Sequence, residues 1–502
     1  MSDANKNRFI VRRNDEVGRF AVVSEDLKAG DLIFTEKPFA YGPKSDSPPL
    51  CLGCYNALEG TSLCSKCGWP VCCTECENIP CHKENECEVF SKAGVKFQPV
   101  EDASAVCLQY ECITPLRVLL AKERNPERWE KEIAPMEAHL KERKDKPLWN
   151  FNQVNIVEYL RGPCKCDRFS EELIHTVCGI LDINAFEARA PSGYLIRSLY
   201  PNLAILSHNC VSNIVHSIEC TGTGDKDDYN VSVRAAVDIA KDGEIFSSYT
   251  YSLWPTLVRR EFLRESKYFD CKCDRCSDKT ELGTHMSSLK CNRCDNGVIL
   301  STDPLDDKCE WKCTHCDFST NAVAVKKVFA TIQAEIEAVE MMSDSEGVEA
   351  RETIFRKYRS VLHPKNAYMT ILRVALSQLY GKAEGYTMED LPDLILERKV
   401  ELCQQLLDVL DVVEPGYSRI RGITFYELHS PLLILARNQY SADLIDKEQL
   451  RRKLKEAVDY LGESVKILKG EPSTTLEGQL YQVAKQGHDQ LTANFDLLVE
   501  TA

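Results

Sequence analysis

The sequence predicts an α+β, multidomain chain. Strands occupy its N-terminal half, metal-binding cysteine clusters lie among them, and a helical array closes it. Three observations lead there. Cysteine is unusually frequent, 25 in 502 residues, and only Cys403 lies beyond Cys316. Short β-branched runs punctuated by glycine occur at both ends of the first half. From about residue 322 onward, apolar residues fall at helical spacing.

Length and charge narrow the class. At roughly 150 residues per domain, the chain has room for about three domains. Hydrophobic residues make up 43% and charged residues 28%, the balance of a folded chain rather than a disordered one. Lys plus Arg is 62 against 77 for Asp plus Glu, a net charge of −15. That acidity opposes bulk nucleic-acid binding, which needs basic surface to displace phosphate counterions, and suits basic partners such as lysine-rich tails. The opening MSDANKNRF lacks the apolar core of a secretory signal. No stretch approaches the roughly 18 apolar residues of a membrane span. A reducing compartment, cytoplasmic or nuclear, is therefore expected, where clustered cysteines are metal ligands more often than disulfides.

The elements follow in chain order. Phe9-Ile10-Val11, Phe20-Ala21-Val22-Val23 and Leu32-Ile33-Phe34 read as strands, with Gly18 and Gly30 between them. Residues 108–183 turn helical and carry charged runs such as KERNPERWEKEIAPMEAHLKERKDK. Over 194–250, loops mix with strands such as Asn230-Val231-Ser232-Val233 and Ile245-Phe246-Ser247-Ser248-Tyr249. Beyond 322, Leu372, Leu376 and Leu379 mark one helical face, and Leu402, Leu406 and Leu410 another. Glu414-Pro415-Gly416 and Gly470-Glu471-Pro472 separate helices. Helical hairpins so arranged stack into a tetratricopeptide-like superhelix. Without a clean 34-residue signature, an irregular helical array is the expectation. The basic run at 451–455, RRKLK, fits a solvated helix face better than a targeting signal.

The first cysteine cluster is Cys51-x2-Cys54, Cys64-x2-Cys67, Cys72-x3-Cys76, then His82 and Cys87. Zinc takes four tetrahedral N or S ligands, so eight ligands within 37 residues make two sites. A cross-braced pairing gives Cys51, Cys54, Cys72 and Cys76 to one, and Cys64, Cys67, His82 and Cys87 to the other. Cys73 and Cys81 are rivals for two of these positions. So short a segment buries little apolar area, and metal binding drives its folding. It holds two lysines, no arginine and five glutamates, a poor surface for nucleic acid. Cys271-x-Cys273-x2-Cys276 offers three thiolates and leaves zinc one ligand short. Cys291-x2-Cys294, followed after 18 residues by Cys313-x2-Cys316, has ribbon spacing, with Cys309 and His315 as substitute ligands.

Together these motifs resemble a known family. The segment GRFAVVSEDLKAGDLIFTEKPFAYG precedes the eight-ligand cluster, which is similar to a MYND zinc finger. SLYPNLAILSHNCVSN at 198–213 resembles the family's "GLYPxxSLLNHSCxPN". DGEIFSSY at 242–249 resembles its "GEEL..SY", and CKCDRC at 271–276 its post-SET motif. Order and spacing resemble the SET-and-MYND protein-lysine methyltransferases, in a divergent, arthropod-like branch. The resemblance implies a SET domain split by the finger. Its parts are an N-terminal SET segment (1–50), the MYND finger (51–87), a helical insert (88–180), the SET core (181–252), a post-SET segment (253–280), a zinc ribbon (281–321) and a helical domain (322–502). The ribbon is an addition to the better-known members.

What the resemblance implies for chemistry is specific. Cys210 joins Cys271, Cys273 and Cys276 on one zinc, which brings the total to four zinc ions. S-adenosylmethionine is the methyl donor, and a protein lysine, histone or non-histone, is the acceptor, in a role that regulates transcription. Methyl transfer needs a neutral amine held in line and screened from water. Tyr249 falls at the family's catalytic tyrosine, and neighbouring Tyr251 keeps a purely structural reading of it open. Gly18, Arg19, Asn184, Ser207, His208 and Phe269 fall at cofactor-contacting positions. Family MYND fingers bind proline-rich peptides, and a monomer is expected. Three departures stand out. The family's "NHSC" reads Ser207-His208-Asn209-Cys210. The first-turn "G-x-G" reads Glu16-Val17-Gly18. The finger closes as His82-x4-Cys87, one residue long. These departures support an alternative reading, a catalytically weak scaffold that recruits partners through the finger and the helical domain.

Overall fold

Strands from either side of the cysteine-rich finger pair with one another, so the finger is an excursion from one β-rich domain. A computed structural model describes residues 7–500 apart from 16, 59–61, 101–104 and 225–227. β1 (Phe9–Asn14) and β2 (Gly18–Val23) form an antiparallel hairpin. β3 (Leu32–Glu36) and β4 (Ala40–Pro43) then part company. β4 pairs with β6 (Leu195–Leu199), whose other edge takes β5 (Phe186–Arg189). β3 pairs with β9 (Val231–Ala235), whose other edge takes β8 (Ile214–Ile218).

A period of two places this core. Along β9, Val231, Val233 and Ala235 are buried while Ser232 and Arg234 are half-buried. The buried face packs on Ala21, Val23, Ile33, Phe34, Leu203, Leu206 and Ile245. One further pairing shapes the site: β7 (Ser207–His208) runs parallel to β10 (Phe246–Ser247).

The finger ends in α1 (Glu86–Ala93) and leans on α2 (Ile113–Arg124), which is buried from Ile113 through Ala121. Trp69 and Phe90 of the finger share a core with Leu116 and Leu119 of α2. The insert is helical, in short pieces. Pro126 and Pro147 each start a new helix, and residues 129–133 and 153–158 are π-helical turns. α3 (Glu171–Asn184) is capped by Ser170, whose hydroxyl accepts from the Leu173 N–H at 3.1 Å.

After α4 (Thr256–Ser266), the strands β11 (Leu289–Lys290), β12 (Val298–Ser301), β13 (Glu310–Cys313) and β14 (Ser319–Asn321) make an antiparallel ribbon. Its Trp311 packs in one core with Phe329. Seven longer helices follow: α5 (Ala322–Glu340), α6 (Asp344–Tyr358), α7 (Ala367–Leu379), α8 (Asp393–Val413), α9 (Arg419–Ser441), α10 (Lys447–Leu468) and α11 (Leu476–Ala493). This is the irregular helical array that the sequence predicts. Asp446 and Gln449 form a capping box that starts α10. Among the described residues no helix is long and apolar enough to cross a membrane.

The α8–α9 turn docks the helical array on the β3–β9–β8 sheet. Tyr417 N–H donates to Ala236 O at 2.8 Å. Gly416 holds φ +72°, and a Cβ there would lie 1.9 Å from Ala236 O. Glu471, past α10, accepts from Arg419 Nε at 2.9 Å and from Ser217 Oγ of β8 at 3.0 Å. Gly416→Ala combines a positive φ with a backbone collision. It is expected to cost more than about 1 kcal/mol and to loosen this contact. Urea unfolding, with amide exchange at 214–218 and 466–471, measures both effects.

Candidate active site

The structure gathers sixteen side chains into four groups. They are Cys51, Cys54, Cys72, Cys76; Cys64, Cys67, His82, Cys87; Cys210, Cys271, Cys273, Cys276; and Cys291, Cys294, Cys313, Cys316. In each group the ligand atoms lie within 4.8 Å of one another. A zinc–sulfur bond of about 2.3 Å puts tetrahedral sulfurs about 3.8 Å apart. The sulfurs here lie at 3.7 Å (Cys54–Cys72), 3.8 Å (Cys64–Cys87), 3.5 Å (Cys210–Cys276) and 3.6 Å (Cys291–Cys316). No cysteine among them is in a disulfide. The donor sets therefore fit zinc. The rivals fall outside these groups. Cys81 turns its sulfur to Gly53 O at 3.3 Å, and Cys309 lies 3.0 Å from Ser301 Oγ.

Outer partners hold the ligands. His82 Nε2 faces Cys67 Sγ at 3.7 Å, while its Nδ1–H donates to Glu86 at 2.8 Å. Arg117 of α2 grips both oxygens of Glu86, at 2.6 and 2.8 Å, and donates to Tyr41 O and Leu52 O. This carboxylate–histidine arrangement fixes the ring tautomer and ties finger, insert and β4 together.

The Cys210 group forms the floor of the candidate site. Cys210 follows β7, so β7–β10 pairing sets it beside the segment that leads to Tyr249. The Tyr249 N–H donates to His208 Nδ1 at 3.0 Å, which leaves the proton on Nε2 to donate to Cys210 Sγ at 3.3 Å. His208, Tyr249 and Phe269 converge, with ring centroids 5.1, 5.7 and 6.4 Å apart. The Tyr249 hydroxyl donates to Leu206 O, and burial pushes its pKa up to about 12, so it is neutral at ordinary pH. Tyr251 faces elsewhere, half-exposed against Trp254.

The other candidate residues divide. Residues of β2 pair with 243–245: the Ile245 N–H donates to Ala21 O, and Val23 N–H to Gly243 O. This antiparallel run carries the chain from Ile245 toward Tyr249 past the Gly18–Arg19 turn. Gly18 has φ +72° with open space where a Cβ would stand. Asn184 ends α3, and its amide N donates to Glu137 O and Ile180 O, each at 3.0 Å. Lys267 Nζ donates to Ile183 O, which fastens this helix end near Phe269. Ser207 Oγ is buried with no hydrogen-bond partner among the described residues. Asn209 Oδ1 accepts from Val211 N–H at 3.0 Å, closing the turn into Cys210. Glu16, which replaces the first-turn glycine, lies outside the described residues.

Sequence reasoning missed the charged groups beneath the sulfurs. Arg259, fully buried, points Nε at Cys210 Sγ (3.3 Å) and Nη2 at Cys276 Sγ (3.6 Å). Glu281 accepts from Arg259 at 2.9 Å and from Arg275 at 3.0 Å. Burial alone would raise the Glu281 pKa, but the two guanidinium groups outweigh it and hold it at about 2. Nothing in LVRREF or CDRC separates these arginines from surface charges; only burial does.

Two measurements test this scaffold. Metal analysis of the full chain is expected to give four zinc ions, and three for Cys210→Ser. Glu281→Gln leaves two buried arginines without their counter-charge and is expected to cost about 3–5 kcal/mol, read from urea unfolding of the zinc-loaded chain.

Comparison with known proteins agrees with this architecture. No family model matches the chain. The chain is 32% identical over 310 residues to "SET domain-containing protein SmydA-8, isoform A" of Drosophila melanogaster, covering 60% of this chain and 63% of that protein. It is 28% identical over 279 residues to "N-lysine methyltransferase SMYD2-B" of Danio rerio, covering 54% of this chain and 61% of the relative. It is 26% identical over 275 residues to "N-lysine methyltransferase SMYD2" of Homo sapiens, covering 52% and 58%. The matches thus span less than two thirds of these relatives. The finger inserted between paired strands and Cys210 gathered with the 271–276 cysteines agree with the SET-and-MYND resemblance, and the chain is similar to these SET-domain and N-lysine methyltransferase relatives over 52–60% of its length.

Proposed function

We propose that the chain transfers a methyl group from S-adenosylmethionine to the ε-amine of a lysine in a protein substrate. The observation that carries this reading is the convergence of Tyr249, His208 and Phe269 on the Cys210 group. Two further residues fit the cofactor. Arg19 is half-buried and has no ion-pair partner among the described residues; burial first, then Arg13 across the hairpin, lowers its pKa. A cation so placed suits the cofactor's carboxylate. Ser207 Oγ, buried and unpartnered, suits one of its polar groups.

When bound, S-adenosylmethionine supplies an electrophilic methyl and a neutral thioether leaving group. The chain's own residues handle the amine. The Tyr249 hydroxyl spends its proton on Leu206 O, so its lone pairs are free to accept from the amine N–H. That orients the nitrogen lone pair and holds the amine in line. His208 locks the Tyr249 backbone to Cys210, and the aromatic wall sheds water.

A protein substrate is supported by a cavity of about 280 Å³ between the SET core and the α8–α9 turn. Ser248, Thr250 and Tyr251, which flank Tyr249, form one wall, and Glu414, Ser418 and Arg419 the other. Thr250 Oγ1 and Ser418 Oγ are buried there without partners, as a peptide backbone would require. Histone tails and non-histone proteins, in a cytoplasmic or nuclear setting, both fall within this reading.

Calorimetric titration of the zinc-loaded chain tests it. S-adenosylmethionine is expected to bind, and Arg19→Ala to weaken binding by about tenfold. Tyr249→Phe is expected to slow methyl transfer by about tenfold or more while binding changes little. Absence of cofactor binding would overturn the enzyme reading and favour a partner-recruiting scaffold, the reading to which the exchanged Ser207 points.

A further inference from the structure

A second cavity, of about 350 Å³, opens where the SET sheet meets the end of α10. Its lining includes no metal ligand and shares only Val215 and Tyr417 with the cavity assigned to the protein substrate. Arg234 of β9 stands on one side, and Lys466, Lys469 and Glu471 on the other, with Gly30 and Tyr417 between. Glu471 is already engaged by Arg419 and Ser217. Three cations then remain in a chain whose net charge is −15.

The cations are weakly satisfied. Lys469 is exposed and has no partner among the described residues. Lys466 reaches only Glu463, at 3.5 Å on the surface. Arg234 Nη1 donates to Gly30 O at 3.2 Å, but its Nε is buried and has no partner among the described residues. Lysines at a helix C-terminus complement the helix dipole and by themselves mean little. That account does not reach Arg234, which comes from a strand across the cavity. A buried guanidinium N–H without an acceptor carries an uncompensated desolvation cost.

We propose that this cavity binds a phosphate-bearing small molecule. A guanidinium with an unmet N–H and two lysines lining one cavity match a multiply charged oxyanion better than a single carboxylate. The volume falls at the small end of ligand sites, about 300–1,000 Å³. The walls come from the SET core and the helical array together, so an occupant draws the two against each other.

The test titrates the zinc-loaded full chain with inorganic phosphate and, separately, with ADP, against chloride at matched ionic strength. Saturable binding is expected, with a rise in Tm of about 2–4 °C at a hundredfold excess over Kd. Lys469→Glu, a surface change that spares the core, and Arg234→Met are each expected to weaken binding about tenfold or more, with S-adenosylmethionine affinity unchanged. Tighter binding of ADP than of phosphate assigns the site to a phosphorylated organic molecule, and equal binding assigns it to the phosphate group alone. No saturation by either probe up to about 10 mM, or undiminished binding by Lys469→Glu, overturns the proposal.

Discussion

The sulfur of Cys210 is the point on which the candidate site depends. It is gathered with Cys271, Cys273 and Cys276, so it joins the chain after β7 to the 271–276 segment. It accepts from His208, whose other nitrogen holds the Tyr249 amide, and it accepts from Arg259. Each bond fixes a different part: the strand pairing β7–β10, the placement of the tyrosine, and the attachment of α4. Metal held at this site would therefore act through position. On the proposed reading it would order the groups that hold the amine without itself touching a reacting atom.

Charge explains why so many arginines are buried here. A zinc ion held by four thiolates would carry a net negative charge, and this group of cysteines is nearly inaccessible to water: Cys210 and Cys276 are 0% exposed. Burying it would be costly without compensation. Arg259 and Arg275 bring the opposite charge, and Glu281 keeps the two guanidinium groups from repelling each other. The finger repeats the logic in smaller form, where Glu86 stands between His82 and Arg117. In both places an ionic cluster sits where a hydrophobic core would otherwise have to form, and it orients ligands as apolar side chains could not.

Much of this was legible in the sequence, for a physical reason. Zinc needs four donors at fixed distances, and two turns of backbone supply them only at particular spacings, so Cys51–Cys87 and Cys291–Cys316 announce themselves. The fourth ligand of the post-SET group did not. Cys210 lies 61 residues from Cys271, and no local spacing links them; only the resemblance did. Strand identity was legible from β-branched runs, but pairing was not. β3 finds β9 across some two hundred residues because both bury the same face. The buried arginines were invisible because an arginine reads as surface until its neighbours are known. The helical array was legible as helices, while its docking through Gly416 and Glu471 was not, since a turn glycine and a loop glutamate look ordinary in one dimension.

The exchange of residues around His208 bears most directly on the proposed chemistry. Asn209 uses its side-chain oxygen to accept from Val211 N–H, a task any short acceptor performs, so the turn into Cys210 survives the change. What differs is the group at position 207. A hydroxyl there offers one donor and accepts, where an amide would offer two donors and a carbonyl. Polarity is retained but bonding capacity falls. His208 has no nitrogen left to make up the difference, since both are engaged. The Asn184 amide N is likewise taken by Glu137 O and Ile180 O. Among the residues proposed for the cofactor, Arg19 is then the strongest uncommitted donor, a charged group that would suit a charged carboxylate. On the proposed reading, cofactor affinity would rest on the hairpin turn more than on the strand that precedes Cys210.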